Sequence, residues 1–157
     1  IIEIELKPQT LRLYKNYLLI ENYKISSSKF GEGCEEGSNK TPLGAHYIKE
    51  FIGSDAPAYT IFKNRVPTSR KVEIVPGQEN SNEDIISSRI LWLDGLDKGK
   101  NKGGRVDSYT RYIYIHGTNE ERLIGEKASH GCIRMSNNDI INLCKKDLLN
   151  TFVYIYN

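Results

Sequence analysis

This chain lacks a strong charge bias, long apolar runs and paired-cysteine motifs, and each absence excludes something. Its 22 Lys and Arg stand against 20 Asp and Glu over 157 residues, a formal net charge of +2. The basic residues are scattered rather than striped, so no electrostatic case for a nucleic-acid partner exists. No window approaches the ~18 consecutive apolar residues a membrane helix needs, so no membrane-spanning segment is expected. With 3 histidines (His46, His116, His130) and 3 cysteines (Cys34, Cys132, Cys144), the chain contains no C-x-x-C and completes no zinc pattern. The nearest metal set, Cys132 with His116 and His130, lacks a fourth ligand, and no cofactor is implied. The odd cysteine count leaves two options, one pair plus a free thiol or three free thiols. No signal peptide is visible. The chain begins at Ile1, however, which reads as a processed or trimmed form, so that absence carries little weight.

What is present is mostly strand, in a length suited to one domain spanning 1–157 with a full core. Ile2, Ile4 and Leu6 alternate on one face. Pro8 marks a turn, Leu11 and Leu13 resume the period, and Asn16 breaks it before a third strand over 17–25. The serines and glycines of 26–42 predict a loop. Its Gly31-Glu32-Gly33-Cys34-Glu35-Glu36-Gly37 run is not a phosphate cradle, because no Lys-Ser/Thr pair follows and three glutamates would repel the anion.

Further strands are predicted over 44–52, 89–96, 112–115 and 151–156. Residues 76–88 read as an exposed polar excursion, and 97–104 as a solvated turn or a cleft-lining loop. Ser136, with Asp139 three residues on, caps a helix on which Ile140, Cys144 and Leu148 share a face. The expected architecture is mainly β: an antiparallel β-sandwich or open barrel with one or two short helices.

The chemistry is concentrated in Ser129-His130-Gly131-Cys132-Ile133-Arg134-Met135, preceded by His116-Gly117-Thr118. Cysteine is a strong nucleophile only as thiolate, and a neighbouring histidine is the usual device that makes it one. The alternative for Cys132 is a buried inert thiol. A position between strand and helix would lower its pKa through the helix amides. Gly131 suggests a tight turn that aims His130 and Cys132 apart, whereas His116 approaches from a different strand. His130 is either a structural histidine shaping the turn or a direct participant. Backbone N–H groups of Gly131 and Cys132 are candidates for an oxyanion hole. Arg134 could grip a carboxylate bidentately or form an ordinary surface salt bridge. Ser129 and Thr118 could bond within the turn or touch substrate. His46, in mid-strand, is expected to be half-exposed.

HGT followed by SHGCIRM resembles the catalytic signature of the L,D-transpeptidases (YkuD-type domains). The Ser38-Asn39-Lys40-Thr41-Pro42-Leu43-Gly44 segment resembles that family's TP-x-G strand start, and Gln9-Thr10-Leu11-Arg12-Leu13-Tyr14 its opening hairpin. The resemblance implies a bacterial cysteine enzyme of the periplasm or cell envelope, with peptidoglycan stem peptides as its partners. It implies Cys132 as nucleophile, His116 as general base, and the Gly117 carbonyl as third member of the triad. Arg134 would position substrate, and carbapenems would form stable thioesters.

Within that resemblance, water in place of an acceptor amine would make an L,D-carboxypeptidase, or a hydrolase releasing a peptidoglycan-linked protein. A wall-binding module that has lost activity is the alternative of a different class; an intact Cys132–His116 pair argues against it.

Overall fold

The computed structural model describes residues 1–74 and 84–157. Among the described residues, ten strands, one short α-helix and two 3-10 turns make a mainly β fold. Strands β1 (Ile2–Glu5), β2 (Thr10–Lys15) and β3 (Leu18–Lys24) form the opening meander, followed by β4 (Gly44–Ile52). A hairpin of β5 (Thr60–Lys63) and β6 (Val66–Lys71) leads to β7 (Ile86–Gly95). Then come β8 (Tyr114–Gly117), β9 (Ile133–Met135), helix α1 (Asn137–Leu143) and β10 (Phe152–Tyr156). The sheet order is β3-β2-β1-β10-β4-β7-β5-β6, with β8 pairing both β7 and β9. Most neighbours are antiparallel, but β1 with β10 and β8 with β9 are parallel.

Local chemistry explains the turns. Asn16 (φ 51°) and Tyr17 (φ 65°) close the β2–β3 hairpin in two residues, and Asn64 (φ 49°) and Arg65 (φ 66°) do the same for β5–β6. Two left-handed central residues match the twist of flanking strands, and asparagine tolerates that conformation well. Sequence reasoning found the first hairpin and missed the second: the prolines flanking β5–β6 masked its strand character, and Pro67 is tolerated because β6 is an edge strand.

Two apolar clusters follow from the alternation of side chains. The larger gathers Ile2, Ile4, Leu11, Ile48, Leu93, Ile115, Ile133, Met135 and Val153 with Ile140 and Leu143 of the helix. The smaller consists of Phe62, Ile90, Trp92 and Tyr114, with Cys132 packed against it.

Several expectations are corrected. The 76–88 excursion falls in part on 76–83, outside the described residues; of its remainder Asp84 is exposed, but the rest turns inward. Ile86 opens β7, and Ser87 and Ser88 are fully buried. Ser136 does cap α1, accepting the Asp139 N–H at 3.2 Å, but the helix ends at Leu143 with Cys144 as its cap. Leu148 therefore reaches the core from beyond the helix rather than on the same helical face. The strand expected over 112–115 begins at Tyr114, because Tyr112 (φ 57°) still belongs to the preceding turn. The 97–104 loop is solvated at Lys98, Gly99, Lys100, Gly103 and Gly104, as a solvated turn should be, but its Asn101 is buried and donates to the Leu43 and Ala45 carbonyls, tying it to β4.

No helix among the described residues is long and apolar enough to cross a membrane.

Candidate active site

Strands β8 and β9 assemble the site through their parallel register, which pairs Ile115 with Ile133, His116 with Arg134, and Gly117 with Met135. Side chains alternate along each strand. Ile115, Ile133 and Met135 enter the larger core, so His116, Arg134, Tyr114 and Cys132 share the opposite face. Residues that are 18 apart in sequence thus become neighbours. The motif is a two-strand device.

Cys132 is half-buried. Its Sγ accepts the Tyr114 N–H at 3.3 Å and donates to the Tyr112 carbonyl at 3.3 Å. The expected helix N-terminus does not act on it, because β9 separates Cys132 from α1. Burial instead pushes its thiol up to about 12, against a smaller opposing pull from the Tyr114 amide. At neutral pH this sulfur is a thiol.

His116 is buried, and its Nδ1 lies 2.7 Å from the Gly117 carbonyl. A carbonyl can only accept, so Nδ1 carries the proton and Nε2 of the neutral ring is basic. Burial holds the ring pKa below its ordinary value; the Asp84 charge and the Gly117 carbonyl oppose this without reversing it. Gly117 itself is packed hard: a Cβ there would stand 2.7 Å from both Asn137 Oδ1 and the Ser87 carbonyl.

Asn137 organises that packing. Its Oδ1 accepts from Ser87 Oγ (2.7 Å) and Ser88 Oγ (2.6 Å), and its Nδ2 donates to the Thr118 carbonyl and Glu121 Oε1, each at 2.8 Å. Thr118 is buried, with its hydroxyl accepting the Glu120 N–H at 3.1 Å. This amide was missed from the sequence, where an asparagine at a helix start carries only a turn signal.

The polar contact of His130 is with Asp84, and none is made with the sulfur. Gly131 sits at φ 126°, a left-handed turn that favours glycine. His130 is exposed, with Nδ1 3.1 Å from Asp84 Oδ2. Ser129 Oγ donates to the Cys132 carbonyl (2.6 Å) and accepts the Gly131 N–H (3.2 Å), tying the turn together from within. Thr41, from the TP-x-G-like segment, braces it from outside by donating to the Gly131 carbonyl at 2.9 Å. The loop over 26–42 is a scaffold here, since Ser26 exchanges backbone hydrogen bonds with Arg134 on the free side of β9.

Arg134 is 1% exposed. Its Nη2 and Nε meet Asp84 Oδ1 at 2.6 and 3.1 Å, and its Nη1 meets Glu120 Oε2 at 2.8 Å. It is thus neither at the surface nor without anionic partners, and the ion pairs, not an open guanidinium, are what β9 presents. Asp84 joins Arg134 to His130; burial pushes its carboxyl up, but the facing His116, Arg134 and His130 outweigh that and hold it below the usual range. Nothing in the polar stretch around Asp84 marked it out, because its partner lies 50 residues away.

His46 is not half-exposed but fully buried, bonded through Nδ1 to the Gly44 carbonyl (3.0 Å) and through Nε2 to Ser108 Oγ (2.9 Å). All three cysteines are free. Among the described residues no three His, Cys, Asp or Glu side chains converge as metal ligands.

The model of the L,D-transpeptidase catalytic domain (YkuD) matches residues 1–155, and the chain belongs to that family. A relative in Bacillus subtilis, described as a putative L,D-transpeptidase YkuD, is 40% identical over 53 residues, covering 31% of this chain and 32% of that protein. The fold is similar to L,D-transpeptidase 3 from Mycobacterium tuberculosis, solved with a faropenem-derived adduct (TM-score 0.61, 12% identity). That match covers 99% of this chain and 59% of the other. The catalytic domain of the Enterococcus faecium L,D-transpeptidase is similar over 99% of this chain and 95% of its own (TM-score 0.53, 17% identity).

Proposed function

We propose that this domain is a cysteine-dependent L,D-transpeptidase that acts on peptidoglycan stem peptides in the cell envelope through a thioester acyl-enzyme. One observation carries the reading: a neutral histidine, with its tautomer fixed by the Gly117 carbonyl, shares a sheet face with Cys132.

In this mechanism Cys132 Sγ leaves the Tyr112 carbonyl and attacks the carbonyl carbon that precedes a terminal D-residue. The C–S bond forms as His116 Nε2 takes the thiol proton. The tetrahedral oxyanion is met by N–H groups beside the sulfur, where losing one donor typically costs ~100-fold or more in rate. The Gly131 N–H is engaged by Ser129 Oγ, so the Cys132 N–H is the donor assigned to this task. Collapse breaks the C–N bond, and His116 returns its proton to the departing amine. An acceptor amine then attacks the thioester and displaces the thiol, giving an L,D crosslink. A thiol raised to about 12 favours proton removal during attack over a standing thiolate–imidazolium pair. His130, Asp84 and Arg134 hold the turn in shape.

Incubating the domain with tetrapeptide-bearing muropeptides and identifying the products by mass tests this reading. Crosslinked dimers are expected. Tripeptides alone would mark an L,D-carboxypeptidase, and unchanged substrate a binding module.

A further inference from the structure

A stem peptide brings a free carboxylate to the site, and the motif arginine, Arg134, already has Asp84 and Glu120 on its guanidinium. A second guanidinium lies within electrostatic reach of the sulfur. Arg111 immediately precedes the Tyr112–Tyr114 segment, whose Tyr112 carbonyl and Tyr114 N–H both bond Cys132 Sγ. Its Nη2 donates to the Lys40 carbonyl at 2.8 Å, and its Nη1 reaches the Gly33 carbonyl at 3.4 Å. That same Lys40 oxygen lies 3.5 Å from where a Cβ on Gly131 would stand. One carbonyl therefore bridges the Arg111 head to the turn that carries the nucleophile.

Building on the transpeptidase reading, we propose that Arg111 binds the terminal carboxylate of the peptide whose bond Cys132 attacks. The guanidinium is anchored along one edge by two carbonyls, and neither neutralises it. Among the described residues its bonding partners are those carbonyls and no carboxylate; Glu35 and Glu36 act on it only through space. A half-buried cation anchored by neutral acceptors has lost part of its hydration without gaining an ion pair, so an incoming carboxylate gains more there than at the surface. In the bond to be cut, the carboxylate lies three bonds from the attacked carbon (through nitrogen and Cα), on the leaving-group side. A cation next to the nucleophile's turn fits that short span. Planar bidentate pairing would also fix which bond faces the sulfur.

The test compares two synthetic tetrapeptides, one with a free terminal carboxylate and one with a terminal amide, in the wild type, Arg111→Gln and Arg111→Lys. The wild type should prefer the free acid. Arg111→Gln should raise KM for the free acid about tenfold to a hundredfold, the range for a lost charge-assisted hydrogen bond, and bring the acid-to-amide ratio of kcat/KM towards one. Arg111→Lys should recover part of the preference. Thermal melting and iodoacetamide labelling of Cys132 report whether each variant remains folded. An unchanged acid-to-amide ratio in a folded Arg111→Gln overturns the assignment. A shift in the pH profile of Cys132 labelling with that ratio unchanged would overturn it too, by giving Arg111 to the thiol. If the wild type consumes neither peptide, the transpeptidase reading falls first and this inference with it.

Discussion

His116 and Arg134 are register partners on the same face of the β8–β9 pair, so a ring that must stay neutral stands beside a permanent cation. The pairing is useful for a general base. Burial and the Arg134 charge both disfavour the imidazolium, while Asp84 favours it and limits how far the ring pKa falls. His116 is therefore neutral throughout the physiological range, and the acid limb of Cys132 acylation should lie below pH 6.5, the ordinary value for histidine. In Asp84→Asn the opposing charge is gone, so that limb should move to still lower pH. A limb that moves upward, in a rate-against-pH series with a chromogenic β-lactam, would break the electrostatic link.

The same variant bears on stability. Arg134 is almost wholly buried, and removing one of its two carboxylates leaves it underpaired. Because Asp84 is itself about one-third exposed, we expect a loss of about 1–3 kcal/mol, below the figure for breaking a fully buried pair. Urea unfolding at neutral pH measures it, and an unchanged midpoint would mean that Glu120 alone suffices.

Replacing Cys132 with alanine should abolish acyl transfer and leave the fold intact, since Cys132 is only half-buried at the margin of the smaller cluster and alanine keeps its Cβ. In the wild type, a carbapenem should leave one covalent adduct, mapped by peptide mass spectrometry to Cys132. Cys144 should stay unmodified, its thiol also pushed up to about 12 by burial and packed against the larger apolar cluster. An adduct on Cys34, or residual activity in Cys132→Ala, would move the nucleophile elsewhere.

The two motif histidines should separate kinetically. His116→Ala is expected to slow acylation ~100-fold or more, and His130→Ala to act chiefly through the turn that Asp84 steadies. A larger kinetic loss at His130 in a folded variant would reverse the roles. Gly117→Ala tests the same base through packing: its methyl has no space beside Asn137 and Ser87, so about 1–3 kcal/mol of stability should go, together with the placement of the His116 carbonyl partner.

His46 gives a prediction about pH alone. Burial lowers its pKa from 6.5 to about 4, so the unfolded chain binds more protons between those values and stability must fall as pH falls through that window. The full effect is about 3 kcal/mol, present above pH 6.5 and lost towards pH 4. His46→Gln should flatten that part of the stability–pH curve relative to wild type, and parallel curves would exclude the histidine as its source.

Much of this was legible in the residues because the signals are local. Alternation in Ile2-Ile4-Leu6 and Leu11-Leu13, the turn at Asn16 and the Ser136 cap depend on neighbours within a few positions, and the mainly β class follows from them. The SHGC element and HGT marked the family. What the sequence could not decide depends on which strands meet. Parallel pairing of β8 with β9 puts His116 next to Arg134. It also folds β9 between Cys132 and the helix, so burial rather than helix amides governs the thiol. Asp84 became a partner of Arg134 across 50 residues, Thr41 a brace for Gly131 across 90, and His46 a buried group bonded to Ser108. Such contacts leave no periodic trace, because burial and ion pairing belong to the three-dimensional neighbourhood and not to any stretch of chain.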